Sequence, residues 1–278
     1  HYYRIEVDEF AAQLDAKARK QADKVLAKAT RKNSLRAFDK LTKLEGGHRR
    51  IVADPPLIVP LEDYSAQAEL ADLRGFFEAY VDTLPRELRR LLERYRVVDF
   101  ARKVVGVGSV GTRCWIALAT TGDEEPLFLQ IKEATASVLE PYAGASEFDQ
   151  AGERVVVGQQ MLQAAGDIFL GWARHHAADG ISYDYYFRQL WDGKGSADVD
   201  EMGPKRLTGY ARTCGGALAL AHARSADPAL IGGYVGDGEV FADALLAFAE
   251  AYADINDADY AAHQAAIADG RIEVRRDL

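Results

Sequence analysis

Residues 97–134 read VVDFARKVVGVGSVGTRCWIALATTGDEEPLFLQIKEA, and this stretch decides the fold class. It opens with a β-branched run that ends in glycines. In the run that follows, Cys114, Ile116 and Leu118 alternate with Arg113, Trp115 and Ala117, the period-2 pattern of a strand with two distinct faces. Gly122-Asp123 supplies a turn, and PLFLQIKEA makes a third strand. There Phe128, Gln130 and Lys132 share one face, and Leu129 and Ile131 the other. Three consecutive strands with short connections predict an antiparallel sheet.

On the upstream side, residues 5–44 read as helical, with Phe10, Leu14, Ala18, Val25 and Leu26 recurring every three to four residues. Asn33-Ser34 is expected to break this helix and cap a second one over 35–44, which Gly46-Gly47 ends. RIVADPPLIVPL then suits extended edges around a turn at Asp54-Pro55-Pro56. Residues 66–96 return to helix, with Phe76, Phe77, Tyr80 and Val81 on one stripe. On the downstream side, 147–165 reads as a helix, FLGWA and YDYYFRQLW as strands, and everything from 205 onward as alanine-rich helix broken near Asp257. Gly232-Gly233 and Gly236 are expected in a loop. The division is a helical region with a short extended segment over 1–96, a sheet with one helix over 97–192, and a helical lobe over 193–278.

Gly106-Val107-Gly108-Ser109-Val110-Gly111 is a GxGxxG sequence, a weak signal by itself. Glycines allow positive φ and close backbone approach, so successive N–H groups can point at phosphate oxygens. A dinucleotide-binding loop must run straight into a helix, whereas this one runs into TRCWIALA. A Walker A loop needs Gly-Lys-Ser/Thr at its end, and Gly111-Thr112-Arg113 does not supply it. The arrangement left is a glycine hairpin between two strands with a lysine on the third, as in protein kinases. Lys132 lies 21 residues after Gly111, and Glu153, another 21 residues on, is the candidate to orient it from the following helix. The bland alternative is a plain turn with a surface lysine beside Glu133.

At these residues the chain also resembles the bacterial domain of unknown function 2252 family. The matching stretches are VVGVGSVGTRC (104–114), PLFLQIKEA (126–134), GERVVVGQQMLQAAGDIFLGW (152–172), YYFRQLWDGKGS (185–196) and ALAHARS (219–225), with YAD at 252–254. The resemblance covers essentially the whole chain. It implies an α+β, protein-kinase-like fold akin to aminoglycoside phosphotransferases: a small antiparallel sheet with a glycine-rich hairpin, plus a largely helical lobe. It also implies upstream GDxHxxNF and DFD-type segments that carry the catalytic and metal-binding groups. Neither is present, and the chain opens at His1 without a methionine, so a fragment or processed product is expected. The closest local substitute, the segment around His222, lacks the Asp-to-Asn spacing of a catalytic loop, and His222 reads as a helix-end or core residue. By the kinase analogy ATP and Mg²⁺ are the implied cofactors, and Gln189 and Leu190 fall at the strand-to-linker segment that meets adenine. The catalytic residues and the acceptor substrate remain unassigned.

Composition narrows the alternatives. Residues 1–50 carry thirteen Lys/Arg and seven Asp/Glu; the rest carries 21 and 36. An acidic body argues against extended nucleic-acid binding, and the basic stretch KARKQADKVLAKATRKNSLR reads as a solvated helix face packed on the acidic remainder. No run approaches 18 apolar residues, so no transmembrane helix is expected, and no signal peptide is visible. Cys114 and Cys214, a hundred residues apart, argue against zinc or a disulfide framework and suit a reducing cytoplasm. Asp254, Asp257 and Asp259 lack the glycine and closing glutamate of a calcium loop. No serine sits in a glycine elbow, which sets a hydrolase aside. Three readings stay open: a kinase-like phosphotransferase incomplete in this chain, a non-catalytic nucleotide-binding module, and a structural or interaction protein.

Overall fold

Alternating strands that bury one face each need a cover on both sides, and the computed structural model shows how this chain supplies it. Residues 38, 41–61, 67–106, 111–177, 180–190 and 197–274 are described. Among them the fold is mixed α+β, with an antiparallel six-stranded sheet, a separate hairpin and seven helices. The chain divides into two compact units, 1–221 and 222–278.

The hairpin is β1 (Thr42–Glu45) and β2 (His48–Ile51), closed by Gly46 and Gly47 at φ 57° and 81°. Two consecutive positive φ angles make the tight turn whose twist matches paired strands. The helix expected over 35–44 therefore ends before Thr42. Helix-forming side chains at Lys43 and Leu44 are overridden by the glycine turn and by tertiary capture of β2. The Ile51 N–H donates to the buried Asp99 carboxylate at 2.7 Å, Phe100 N–H donates to the same group at 3.0 Å, and Arg50 pairs with it at 3.4 Å. The basic N-terminal helix lies outside the described residues.

The large sheet comprises β3 (Ile58–Pro60), β4 (Arg96–Lys103), β5 (Cys114–Thr120), β6 (Pro126–Ala134), β7 (Gly171–His176) and β8 (Ser182–Gln189), in the order β3-β4-β5-β6-β8-β7. The three-strand unit read from residues 97–134 is therefore its centre. One face buries Ala117, Leu129, Ile131 and Phe187 beneath Phe76, Tyr80 and Leu84. The other buries Ala101, Ile116, Leu118 and Phe128 against Ile51, Ile58 and Leu190. The elements of 41–96 thus share cores with the sheet.

Helix α1 (Gln67–Asp82) lies across the first face. Tyr80 stacks on Phe187 at 4.0 Å between ring centroids and donates its hydroxyl hydrogen to the Phe169 carbonyl at 2.8 Å. Pro85 stops the helix and opens the short α2 (Arg86–Leu92). After β6 come the single turn α3 (Glu140–Ala143) and then α4 (Ala151–Leu162). The latter is shorter than the expected 147–165, because the Gln150 side chain caps it by accepting the Glu153 N–H.

The remaining helices are α5 (Pro204–Ser225), α6 (Pro228–Val235) and α7 (Glu239–Ala268). Asp227 caps α6 through Ala229 N–H at 2.8 Å, with Pro228 at its first position. Two expectations are corrected here. Gly232 and Gly233 lie inside α6, with only Gly236 beyond its end, and α7 runs unbroken through Asp254, Asp257 and Asp259. Alanine-rich flanks carry the helix across the weak Asn256-Asp257 step. Among the described residues no helix is long and apolar enough to cross a membrane.

Candidate functional site

The glycine loop joins β4 to β5, as read from the sequence. Val107, Gly108, Ser109 and Val110 lie outside the described residues. The two flanking glycines, Gly106 at φ 61° and Gly111 at φ 87°, both occupy the left-handed region. Nothing stands within 4 Å of a Cβ built on either, so backbone conformation, not space, demands glycine at both.

Strand pairing places Lys132 at the end of the sheet where β5 begins. Cys114, the first residue of β5, pairs with Lys132 on β6, and Lys132 pairs with Tyr186 on β8, which pairs with Trp172 on β7. One residue row further along, Ile116, Gln130 and Arg188 follow in the same way. Lys132 is half-buried. Its chain neighbour Glu133 points to the opposite face, where it accepts Arg113 N–H at 2.8 Å and pairs with the Arg113 guanidinium at 3.2 Å. That guanidinium also lies 3.9 Å from the centre of the Tyr183 ring. Glu133 is thereby removed as the partner that would make Lys132 an ordinary surface pair. The Cys114 thiol feels Lys132 directly: burial pushes it up to about 11, while the charges of Lys132 and Lys103 and a hydrogen bond with Gln130 pull the other way.

Helix α4 covers the same face. Its first N–H, from Ala151, donates to Asp184 at 2.8 Å, and Arg174 pairs with that carboxylate at 2.6 Å. Burial alone raises the Asp184 carboxyl. Its hydrogen bonds from Arg174 and Ala151 outweigh this and hold it below the usual carboxylate range. Close approach is possible because residue 152 is glycine: a Cβ there would stand 2.2 Å from the Tyr185 carbonyl oxygen.

The predicted site residues are brought together in part. Gly106 and Gly111 flank the β4–β5 connection, and Lys132 pairs with Cys114, three residues after Gly111. Glu153 sits in the first turn of α4, three residues after its cap, a position where an acid favours the helix dipole. No ion pair joins it to Lys132 among the described residues. Gln189 and Leu190 lie at the end of β8 with their N–H groups engaged internally, Gln189 to the Asp167 carboxylate and Leu190 to the Phe128 carbonyl at 2.9 Å. The Leu190 side chain belongs to the second core. Next to them a cleft of about 430 Å³ opens between α4 and β8, lined by Gln159, Gln163, Asp167, Arg188 and Gln189. His222 is exposed near the end of α5, so it is a helix-end residue and not a core one.

Sequence reasoning missed Cys114 and Tyr186 as the lateral neighbours of Lys132. Their alternation within each strand was visible, but the lateral register was not.

The chain belongs to the family described as "Uncharacterized protein conserved in bacteria (DUF2252)", whose sequence profile matches residues 1–266. No curated protein and no solved structure matches it.

Proposed function

We propose that this member of the DUF2252 family binds a nucleoside triphosphate, ATP with Mg²⁺, in the manner of a kinase-like phosphotransferase whose acceptor is unassigned. The observation that carries this reading is Lys132. It is a half-buried ammonium in mid-sheet, with no ion-pair partner among the described residues, beside a loop flanked by two positive-φ glycines. A half-buried charge without a partner is costly to the fold. An anion that arrives at the loop compensates it.

The order of parts supports the kinase analogy: glycine hairpin between β4 and β5, lysine on β6, and then helix α4 over the lysine's face before the next strand. Gly106 and Gly111 shape the backbone toward the phosphates, and Lys132 neutralises their charge. Mg²⁺ would come with the nucleotide, on its phosphates. No chemical step is assigned to the metal.

Calorimetric titration with Mg·ATP of the wild-type chain and of Lys132→Ala tests the reading. A loss of about tenfold or more in affinity is expected, since a hydrogen bond to a charged group contributes about 1.5–3 kcal/mol. Equal binding by both proteins sinks the phosphate role of Lys132.

The position of Glu153 favours a second reading. Kinases hold their lysine with a helix glutamate, and here Glu153 stands in the first turn of α4 with no ion pair to Lys132 among the described residues. The chain is then a nucleotide-binding module without transfer. A phosphate-release assay separates the two: turnover abolished by Lys132→Ala supports the transferase, whereas binding without turnover supports the module.

A further inference from the structure

Helix α7 is 30 residues long, about 45 Å, and Ala266 near its end is its only buried residue. A helix of a globular protein ordinarily turns an apolar stripe onto a core. Here the stripe is present, and nothing among the described residues covers it. Phe241, Leu245, Phe248, Tyr252 and Ile255 are between 39% and 65% exposed. Phe248 and Tyr252 stack on each other at 5.7 Å between ring centroids.

The five residues follow one another at intervals of four, three, four and three. That is the narrow seam of two helices wound together, not the wider face of a helix lying on a sheet. Asp259, the next position in the series, closes the apolar run. The positions on either side of the seam are Ala242, Ala244, Ala249, Ala251, Asn256 and Ala258. These are the positions at which charges choose the partner of a paired helix, and none of them is charged. Their small side chains also let a second helix approach closely. The acidic residues Asp243, Glu250, Asp254 and Asp257 fall on the outer side of the helix, away from the seam.

This distribution favours one occupant. A basic partner would be recognised by acids beside the seam, and they stand behind it. An uncharged, alanine-edged stripe matches another of its own kind, and every copy of the chain brings one. Like charges do not oppose the pairing, because those of α7 face outward. The five seam side chains expose roughly 500 Å² of apolar surface, at the upper end of what a monomer leaves uncovered without function. Two copies together bury roughly 1,000 Å², the size at which a specific interface begins.

We propose that the α7 seam from Phe241 to Ile255 is a self-association surface, on which a second copy of this chain docks the same stripe of its own α7.

Sedimentation equilibrium of the full chain tests this up to about 100 µM, since an interface at the small end of the range associates in the micromolar region. Wild type is expected to reach twice the 30.5 kDa mass of one chain. Phe248→Glu places a charge in the seam, and Ala249→Glu places one at its edge without removing any packed side chain. Each is expected to weaken association at least about tenfold, a loss of about 1.4 kcal/mol. Leu246→Glu, an exposed position on the outer side, is expected to keep the wild-type mass. Far-UV circular dichroism checks the helices, and Ala249→Glu decides if Phe248→Glu unfolds. A wild type that stays at the mass of one chain overturns the proposal and leaves the seam to a different protein. Association that survives Ala249→Glu, or that Leu246→Glu weakens equally, overturns it as well.

Discussion

Replacing Gly152 by alanine sets two opposed effects against each other, and the structure decides which wins. Gly152 is the second residue of α4, where alanine is intrinsically better than glycine by about 1 kcal/mol. Its added Cβ, however, would stand 2.2 Å from the Tyr185 carbonyl oxygen and 2.7 Å from its carbonyl carbon. Both atoms are backbone of a central strand pair, so no flexible side chain can yield. The helix must lift by roughly 1 Å to reach a tolerable contact. It is pinned by the Ala151 N–H to Asp184 bond and by Val156, which is wholly buried. Overpacking of this kind costs about 3 kcal/mol at the upper end of its usual range. Net destabilisation of about 2 kcal/mol follows, a fall of about 4–8 °C in melting temperature for a chain of this size. Gly158 in the same helix provides the control, because a Cβ there meets nothing within 4 Å. Gly158→Ala is expected to be neutral or stabilising by up to about 1 kcal/mol. Differential scanning calorimetry of the two variants reads the contrast. If Gly152→Ala melts at or above wild type, the close seating of α4 on β8 is refuted.

Tyr80→Phe removes the hydroxyl that serves the buried Phe169 carbonyl and should cost about 1–2 kcal/mol in urea unfolding, with stacking on Phe187 preserved. Asp99→Ala leaves the Ile51 and Phe100 N–H groups and Arg50 without their shared acceptor, so a loss of about 3 kcal/mol is expected. An unchanged denaturation midpoint would mean that the β1–β2 hairpin is not anchored there. The Asp184 carboxyl has a depressed folded-state value, so its contribution is fully present above the ordinary carboxylate value of about 3.9. That contribution is lost as pH falls through the lower folded-state value. The stability gap between wild type and Asp184→Asn should therefore narrow as pH drops from about 5 to about 3, and a gap that is constant with pH contradicts the assigned pairing.

Much of the sheet was legible because a strand buried on one or both faces has to alternate. Cys114, Ile116 and Leu118 against Trp115 and Ala117 fix two faces whatever the neighbours are, and the same holds for Gln130 and Lys132 against Leu129 and Ile131. The break at Pro85 and the cap at Gln150 are likewise local chemistry, although the helix was expected from 147 and begins four residues later, at Ala151. The failures occur where local preference meets a longer-range constraint. Residues 42–45 look helical until Gly46-Gly47 folds them onto β2 and Asp99 holds that strand. Gly232-Gly233 looks like a loop until Asp227 and Pro228 start a helix ahead of it.

The sequence by itself determined the central three strands, the glycine hairpin between the first two, and the face on which Lys132 stands. Each follows from period-2 alternation and from glycine's access to positive φ, properties that a residue and its immediate neighbours already possess. Only the tertiary structure decided what surrounds Lys132. Which residues sit beside one another across a sheet is set by strand register, and register depends on pairings between residues tens of positions apart. That is why Cys114 and Tyr186 came to light as lateral neighbours of Lys132 only in the folded chain, where Glu153 stands in the first turn of α4.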